Sequence, residues 1–401
     1  MASVASEYGT LSRRSTDPEE PRVFKIVFEK NKEVYGPGES LSGEIAVEFC
    51  EVKRIQGIVV EFHGLGSVHW EETRGGSTHY KPVTHFENEQ VYFNDKATVF
   101  GQELSDVEED SVVVEKGLQT FPFEYQLPRR PIPPSFEGDH GFVRYWLKAA
   151  IIRAERNNHE CKRAFTILTP YDLNDEPEAL LPAEESYTFT IFPSWFSCFR
   201  PQPIDIRART DRRGYVPGEI IVLSASVKNH TNKKVQETYA KLVQIVRYFD
   251  NSGFSITTVK ELQSVKQHGV EPTTMARFPS ISMLVPCVPP SGLKNCRFIE
   301  IRYEAQFLAS VTGKNSAISV SLPIRIGTRP LKMRHGVKTL TDIPEEEEEH
   351  SKDETQSQQN GAIAVTSVTG GYNIRDNRDS PFIHGDLIFT PMYNYYSNSG
   401  F

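Results

Sequence analysis

Four histidines crowd one stretch of this 401-residue chain: His63, His69, His79 and His85. Imidazole is a common zinc ligand and a frequent general base, so their spacing is the first thing to test. It fits no familiar ligand pattern, and the expectation is therefore strand and surface histidines with no metal. The five cysteines (Cys50, Cys161, Cys198, Cys287, Cys296) include no Cys-x-x-Cys pair. A nucleophilic cysteine needs an activating base and a lowered pKa, and none of the five is assigned that role. Gly64-Leu65-Gly66 opens a dinucleotide fingerprint but lacks its third glycine and a following helical pattern. No P-loop, Gly-x-Ser-x-Gly elbow or His-Glu-x-x-His is present. The chain reads as a binder without cofactor, not as an enzyme.

Composition narrows the class of partner. Charged residues make up 24% and the formal net charge is −8, so no basic field invites nucleic acid. No apolar run approaches the roughly 18–20 residues that span a bilayer, which excludes a transmembrane helix. The first twenty residues lack the apolar core of a secretory signal, and odd, irregularly spaced cysteines make a poor disulfide framework. Together these point to the reducing cytosol.

The elements that would position any binding residue announce themselves by repetition. Tyr35-Gly36-Pro37-Gly38-Glu39 leads into Leu41, Gly43, Ile45, Val47 and Phe49; Tyr215-Val216-Pro217-Gly218-Glu219 leads into Ile221, Leu223, Ala225 and Val227. Apolar residues at every second position behind a Pro-Gly turn predict a half-buried strand. Pro133-Pro134-Ser135 precedes Val143, Tyr145, Leu147 and Ala149, as Pro289-Pro290-Ser291 precedes Ile299, Ile301, Tyr303 and Ala305. Arg144-Tyr145 is echoed by Arg302-Tyr303. The chain is a tandem of one β module.

Strand-like alternation runs from 22 to 171 and again from 186 to 331, without helical periodicity between. Residues 172–185, acidic and with two prolines, predict a hinge or linker. Residues 1–21 are polar and expected to be disordered; so is 332–401, which carries the acidic run Glu345–Glu349 and then a scatter of aromatics. The expected fold is all-β: two tandem immunoglobulin-like sandwiches with disordered termini.

Pro133-Pro134-Ser135-Phe136-Glu137-Gly138, followed by Gly141-Phe142-Val143-Arg144-Tyr145 and Lys148-Ala149, resembles the hallmark of the arrestin N domain. Val34 to Glu39 fits it as well, and Leu322-Pro323-Ile324-Arg325-Ile326-Gly327-Thr328 resembles the end of the second arrestin domain. On these motifs, in order across 22–331, the chain is identified as a member of the α-arrestin family, the arrestin domain-containing proteins. The turn and proline motifs are expected to set strand register, since proline fixes φ and glycine admits positive φ, and to touch no ligand.

The resemblance implies an adaptor. In the family, the arrestin domains engage a receptor or transporter cargo, and Pro-Pro-x-Tyr motifs in the tail recruit WW domains of HECT-type ubiquitin ligases. That implies a cytoplasmic protein recruited to plasma membrane and endosomes, serving ubiquitin-dependent endocytosis and endosomal transport. This chain departs from the pattern: the nearest match is Thr390-Pro391-Met392-Tyr393, without the first proline. That proline adds packing and presets a polyproline II segment, so its loss is expected to weaken binding by roughly 1–3 kcal/mol. Lys25 corresponds to a first-strand cation that reads phosphate in receptor-binding arrestins, with Arg22 nearby; Ile26 stands where a second lysine would. The cysteine that the thioredoxin-binding branch needs is missing between Cys198 and Cys287. A ligase-independent trafficking scaffold, resembling the arrestin-like retromer subunit, is the alternative. A secreted adhesion sandwich ranks last.

Overall fold

The computed structural model describes residues 20–73, 83–101, 111–154, 157–191, 202–332, 363–368, 370–377 and 379–397. The first module runs through β1 (Val23–Phe28), β2 (Val34–Tyr35), β3 (Ser40–Phe49), β4 (Lys53–Ile55), β5 (Gly57–Thr73), β6 (Val83–Gly101), β7 (Val112–Val114), β8 (Gly117–Gln126), β9 (Phe136–Gly138), β10 (Gly141–Ile152) and β11 (His159–Ile167). Sheet β1-β3-β8 packs on sheet β2-β11-β10-β5-β6, with Phe62 of β5 stacked on Tyr125 of β8 at 4.2 Å. In β1 the alternation is as the sequence predicts, Phe24, Ile26 and Phe28 buried and Val23, Lys25 and Val27 half-buried.

The second module comprises β12 (Glu184–Ile191), β13 (Gln202–Thr210), β14 (Gly214–Tyr215), β15 (Ile220–Asn229), β16 (Val235–Phe249), β17 (Ser255–Gln267), β18 (Met275–Leu284), β19 (Ile299–Val311) and β20 (Ile318–Ile326). Its sheets run β12-β13-β15-β18 and β14-β20-β19-β16-β17. β20 buries every second residue without exception, so one face meets the core and the other water. Among the described residues helical structure is limited to two 3-10 turns, Glu29–Asn31 and Leu173–Asp175.

The repeats of the sequence are repeats of hydrogen bonding. Tyr35 donates its hydroxyl hydrogen to the Lys32 carbonyl at 2.8 Å, and Tyr215 to that of Arg212 at 2.9 Å. The Tyr145 hydroxyl donates to the Pro133 carbonyl, and that of Tyr303 to the Pro289 carbonyl, each at 2.7 Å. Ser135 accepts from the Ile167 amide on Oγ at 2.9 Å, as Ser291 does from Ile326 at 2.8 Å. These are buried or half-buried polar groups, so each bond satisfies a donor or acceptor that water cannot reach.

Gly38 and Gly218 close the twin turns at φ +79° and +97°, a region that L side chains rarely adopt. At Gly38 a Cβ would only touch the Arg129 side chain, whereas at Gly218 it would overlap the backbone carbonyl of Tyr396. Gly38→Ala is expected to cost about 1 kcal/mol from conformation alone. Gly218→Ala should cost more and should also raise amide exchange at 392–396; equal melts and an unchanged tail would refute the difference.

Two stretches differ from expectation. The predicted hinge at 172–185 is a packed link: Leu173 and Ala179 are buried against Val216 and Leu331, and Asp172 caps its 3-10 turn by accepting from Asn174. Apolar residues separated by acids and prolines read as a linker, yet Leu173 and Ala179 find a pocket. The expectation of disorder across 332–401 fails for 363–397, which forms β21 (Ile363–Thr366), β22 (Tyr372–Asn373), β23 (Ile383–Asp386), β24 (Ile388–Phe389) and β25 (Met392–Tyr395). The segment is too polar to make a core of its own, but Ile374, Phe389 and Tyr393 are buried in it, and it is attached to the first module by β23 and by Tyr393. The expectation for residues 1–19, and for the acidic run, lies outside the described residues.

Candidate functional site: a groove that holds the chain's own C-terminal segment

β11 is an edge strand along part of its length, and an edge offers unpaired backbone groups. β23 fills it in parallel register, pairing Glu160 with Ile383, Cys161 with His384, Lys162 with Gly385 and Arg163 with Asp386. His384 sits edge-on to Phe24 of β1 at 6.2 Å, and burial lowers its imidazole pKa. Gly385 takes φ +99°, and a Cβ there would overlap the Lys162 carbonyl, so strand and glycine are fitted to each other.

Side chains then fix the segment. Lys162 points out of the core beneath it, 2% exposed at its side chain, with Nζ 3.1 Å from both Asp376 Oδ2 and Asp379 Oδ2. The same ammonium lies 5.0 Å from the centre of the Trp146 ring. Asp379 also accepts from the Asp376 amide at 2.9 Å, and Glu160 accepts from the Ser380 amide at 2.8 Å. A buried ammonium is tolerable only when paired and hydrogen-bonded, and two carboxylates with an aromatic face supply that. A cavity of about 170 Å³ remains beside this pair, lined by His63, Phe93, Trp146, Lys148, Asp376 and Asp379. Next to it Glu61 is held down to about 2, first by its hydrogen bond with His63 and then by Lys148.

Further along, the segment reaches the Pro133-Pro134-Ser135 loop of the first module and Cys287 of the second. Tyr393 is 3% exposed; its hydroxyl donates to the Ser135 carbonyl at 3.0 Å, and burial drives the phenol pKa upward. The Met392 amide donates to Thr166 Oγ1 at 3.1 Å. Cys287 of the second module donates from Sγ to Val365 at 3.2 Å. Tyr396 donates to the Thr328 carbonyl at 2.8 Å, and its amide to that of Pro217 at 3.0 Å. Residues of both modules therefore hold one peptide.

The sequence-predicted site residues fall into three groups. Thr390, Pro391 and Tyr393 lie together in this groove: the Thr390 hydroxyl donates to the Gly370 carbonyl, and the Pro391 carbonyl accepts from Ser367. Lys25 and Arg22 lie on or just before β1; Lys25 is half-buried and Arg22 exposed, its amide bonded to the Glu48 carbonyl. His63 stacks on Trp146 at 5.0 Å, His69 and His85 stack on each other at 5.9 Å, and His79 lies outside the described residues. The Pro-Pro-Ser loops, expected to set strand register and touch no ligand, do take part in an intrachain contact: the Ser135 carbonyl accepts from Tyr393. Sequence reasoning missed Lys162, whose signal was a lone cation at an outward position of β11 with the acids Asp376 and Asp379 far down the chain.

Residues 24–174 match the family model "Arrestin (or S-antigen), N-terminal domain" and residues 200–331 match "Arrestin (or S-antigen), C-terminal domain". Thioredoxin-interacting protein of Homo sapiens is 28% identical over 309 residues, 76% of this chain and 74% of the relative. Arrestin domain-containing protein 17 of Caenorhabditis elegans is 26% identical over 356 residues, 86% of this chain and 76% of the relative. Tandem sandwiches, twin turns and matched domains leave one conclusion: the chain belongs to the arrestin family, in its α-arrestin branch.

Proposed function

We propose that this protein is a non-enzymatic adaptor that joins membrane receptor or transporter cargo to WW-domain, HECT-type ubiquitin ligases for endocytosis and endosomal transport. On this reading it works from the cytoplasm and is recruited to the plasma membrane and endosomes. Family membership supports the adaptor role. The observation that carries it is that β11 accepts an extended peptide by strand addition while Lys162 takes two of its carboxylates. A cargo tail that is extended and acidic, or phosphorylated, would meet the same edge and the same cation once the resident segment leaves.

The ligase contact is coupled to that exchange. Tyr393 cannot enter a WW groove while it donates to Ser135, so the apparent affinity of the intact chain is the free-peptide affinity reduced by the fraction of chains with the segment released. A peptide spanning 380–401 should bind tandem WW domains in calorimetry, Tyr393→Ala should abolish that binding, and the full chain should bind more weakly than the peptide. One observation favours the ligase-independent scaffold: Thr390 replaces the first proline, and its hydroxyl is tied to Gly370 within the same segment. No binding at millimolar peptide would decide for that scaffold.

A further inference from the structure

β5 and β6 continue beyond the sandwich core as a long antiparallel ribbon, and its outer face gathers a donor set that the linear spacing hid. The register pairs His69 with Glu87, Trp70 with Phe86 and Glu71 with His85. Side chains alternate across a strand, so His69, Glu71, His85 and Glu87 share one face. The other face holds Trp70 and Phe86, stacked at 5.1 Å and 8° and both buried, which pins the backbone beneath. His85 Nδ1 lies 3.2 Å from Glu71 Oε1, the His69 and His85 rings are 5.9 Å apart at 26°, and one ligand atom from each of the three lies within 4.8 Å of the others.

We propose that His69, Glu71 and His85 form a binding site for a borderline divalent transition-metal ion, with Zn²⁺ the best chemical match. Two imidazoles and a carboxylate prefer such an ion to Ca²⁺ or Mg²⁺, which take oxygen ligands. Bonds of about 2.0–2.2 Å require ligand atoms roughly 3.3 Å apart. The three side chains are exposed, so small torsional changes close the gap without moving the pinned backbone. Water, or Glu87 from across the ribbon, completes a tetrahedral shell.

The location gives the ion a task. Phe86 meets Phe254 of the second module edge-on at 5.6 Å, and the Asn251 amide donates to the Glu87 carbonyl at 3.2 Å. An ion bridging β5 and β6 at this point would stiffen the ribbon where it touches the other module.

The test is a titration of metal-free full-length protein with ZnCl₂ by calorimetry, supported by the visible absorption of Co²⁺. The expected result is one saturable equivalent and a Co²⁺ spectrum typical of four or five ligands. His69→Ala and His85→Ala should each weaken binding by at least about tenfold, as loss of even a supporting ligand contact does. Cys50→Ser should leave it unchanged. All three ligands are exposed, so the metal-free variants should melt as the parent does, and that melt checks their folding. Binding that survives in the His69→Ala/His85→Ala double variant, or no saturation below about 1 mM on the same scale of affinities, overturns the proposal.

Discussion

Lys162→Met should release the C-terminal segment. The methionine keeps most of the stem's volume but leaves Asp379, 3% exposed at its side chain, and Asp376 facing each other without a cation. Breaking a buried pair by removing one partner costs about 3–5 kcal/mol, because the remaining charge stays desolvated. Here the remaining charges sit on a segment that can leave, so the cost should appear as undocking and not as global unfolding. Amide exchange across 374–386 and 392–396 is expected to accelerate by about 100-fold or more, each 1.4 kcal/mol being tenfold. WW-domain binding by the full chain should rise toward that of the free 380–401 peptide. Asp379→Asn added to Lys162→Met should give back part of the loss, a non-additivity that contact between the two groups requires. Exchange rates that match the parent would remove Lys162 from any role in holding the segment.

How much of this could be read from the sequence depends on where the information lies. Parity along β1, β15, β19 and β20 was legible because one buried face forces a period of two, and the Pro-Gly turns were legible because Gly38 and Gly218 need positive φ. The site was less legible. Lys162 is separated from Asp376 by 214 residues, and nothing local tells an outward lysine that will be covered from one that will stay in water. The segment from 363 to 397 has the composition of a disordered tail and takes its order from a surface already built, so a composition rule misreads it. His69, Glu71 and His85 come together only through the cross-strand register, which one strand's spacing cannot reveal.

A tandem repeat also invites a false symmetry, and Arg144 and Arg302 test it. Both precede the tyrosine that bonds a Pro-Pro-Ser loop, and both pair with a glutamate. Arg144 donates through Nε and Nη2 to the two oxygens of Glu137 at 2.7 and 2.8 Å, with side chains only 12% and 2% exposed. Arg302 pairs with Glu300 at 2.8 Å while 63% exposed. Burial already pushes the Glu137 carboxyl above its usual range, against the pull of Arg144. Arg144→Ala is therefore expected to cost about 3–5 kcal/mol, and Arg302→Ala less than about 1 kcal/mol in urea unfolding. The pH dependence has a definite sign. In Arg144→Ala the folded-state pKa of Glu137 rises further, so between the unfolded and folded values the native state holds the extra proton and stability falls as pH increases. The loss should be smallest in mild acid and grow toward neutrality. Equal losses at the two arginines would mean that Glu137 is reached by water after all, and that the two copies of the motif do the same work.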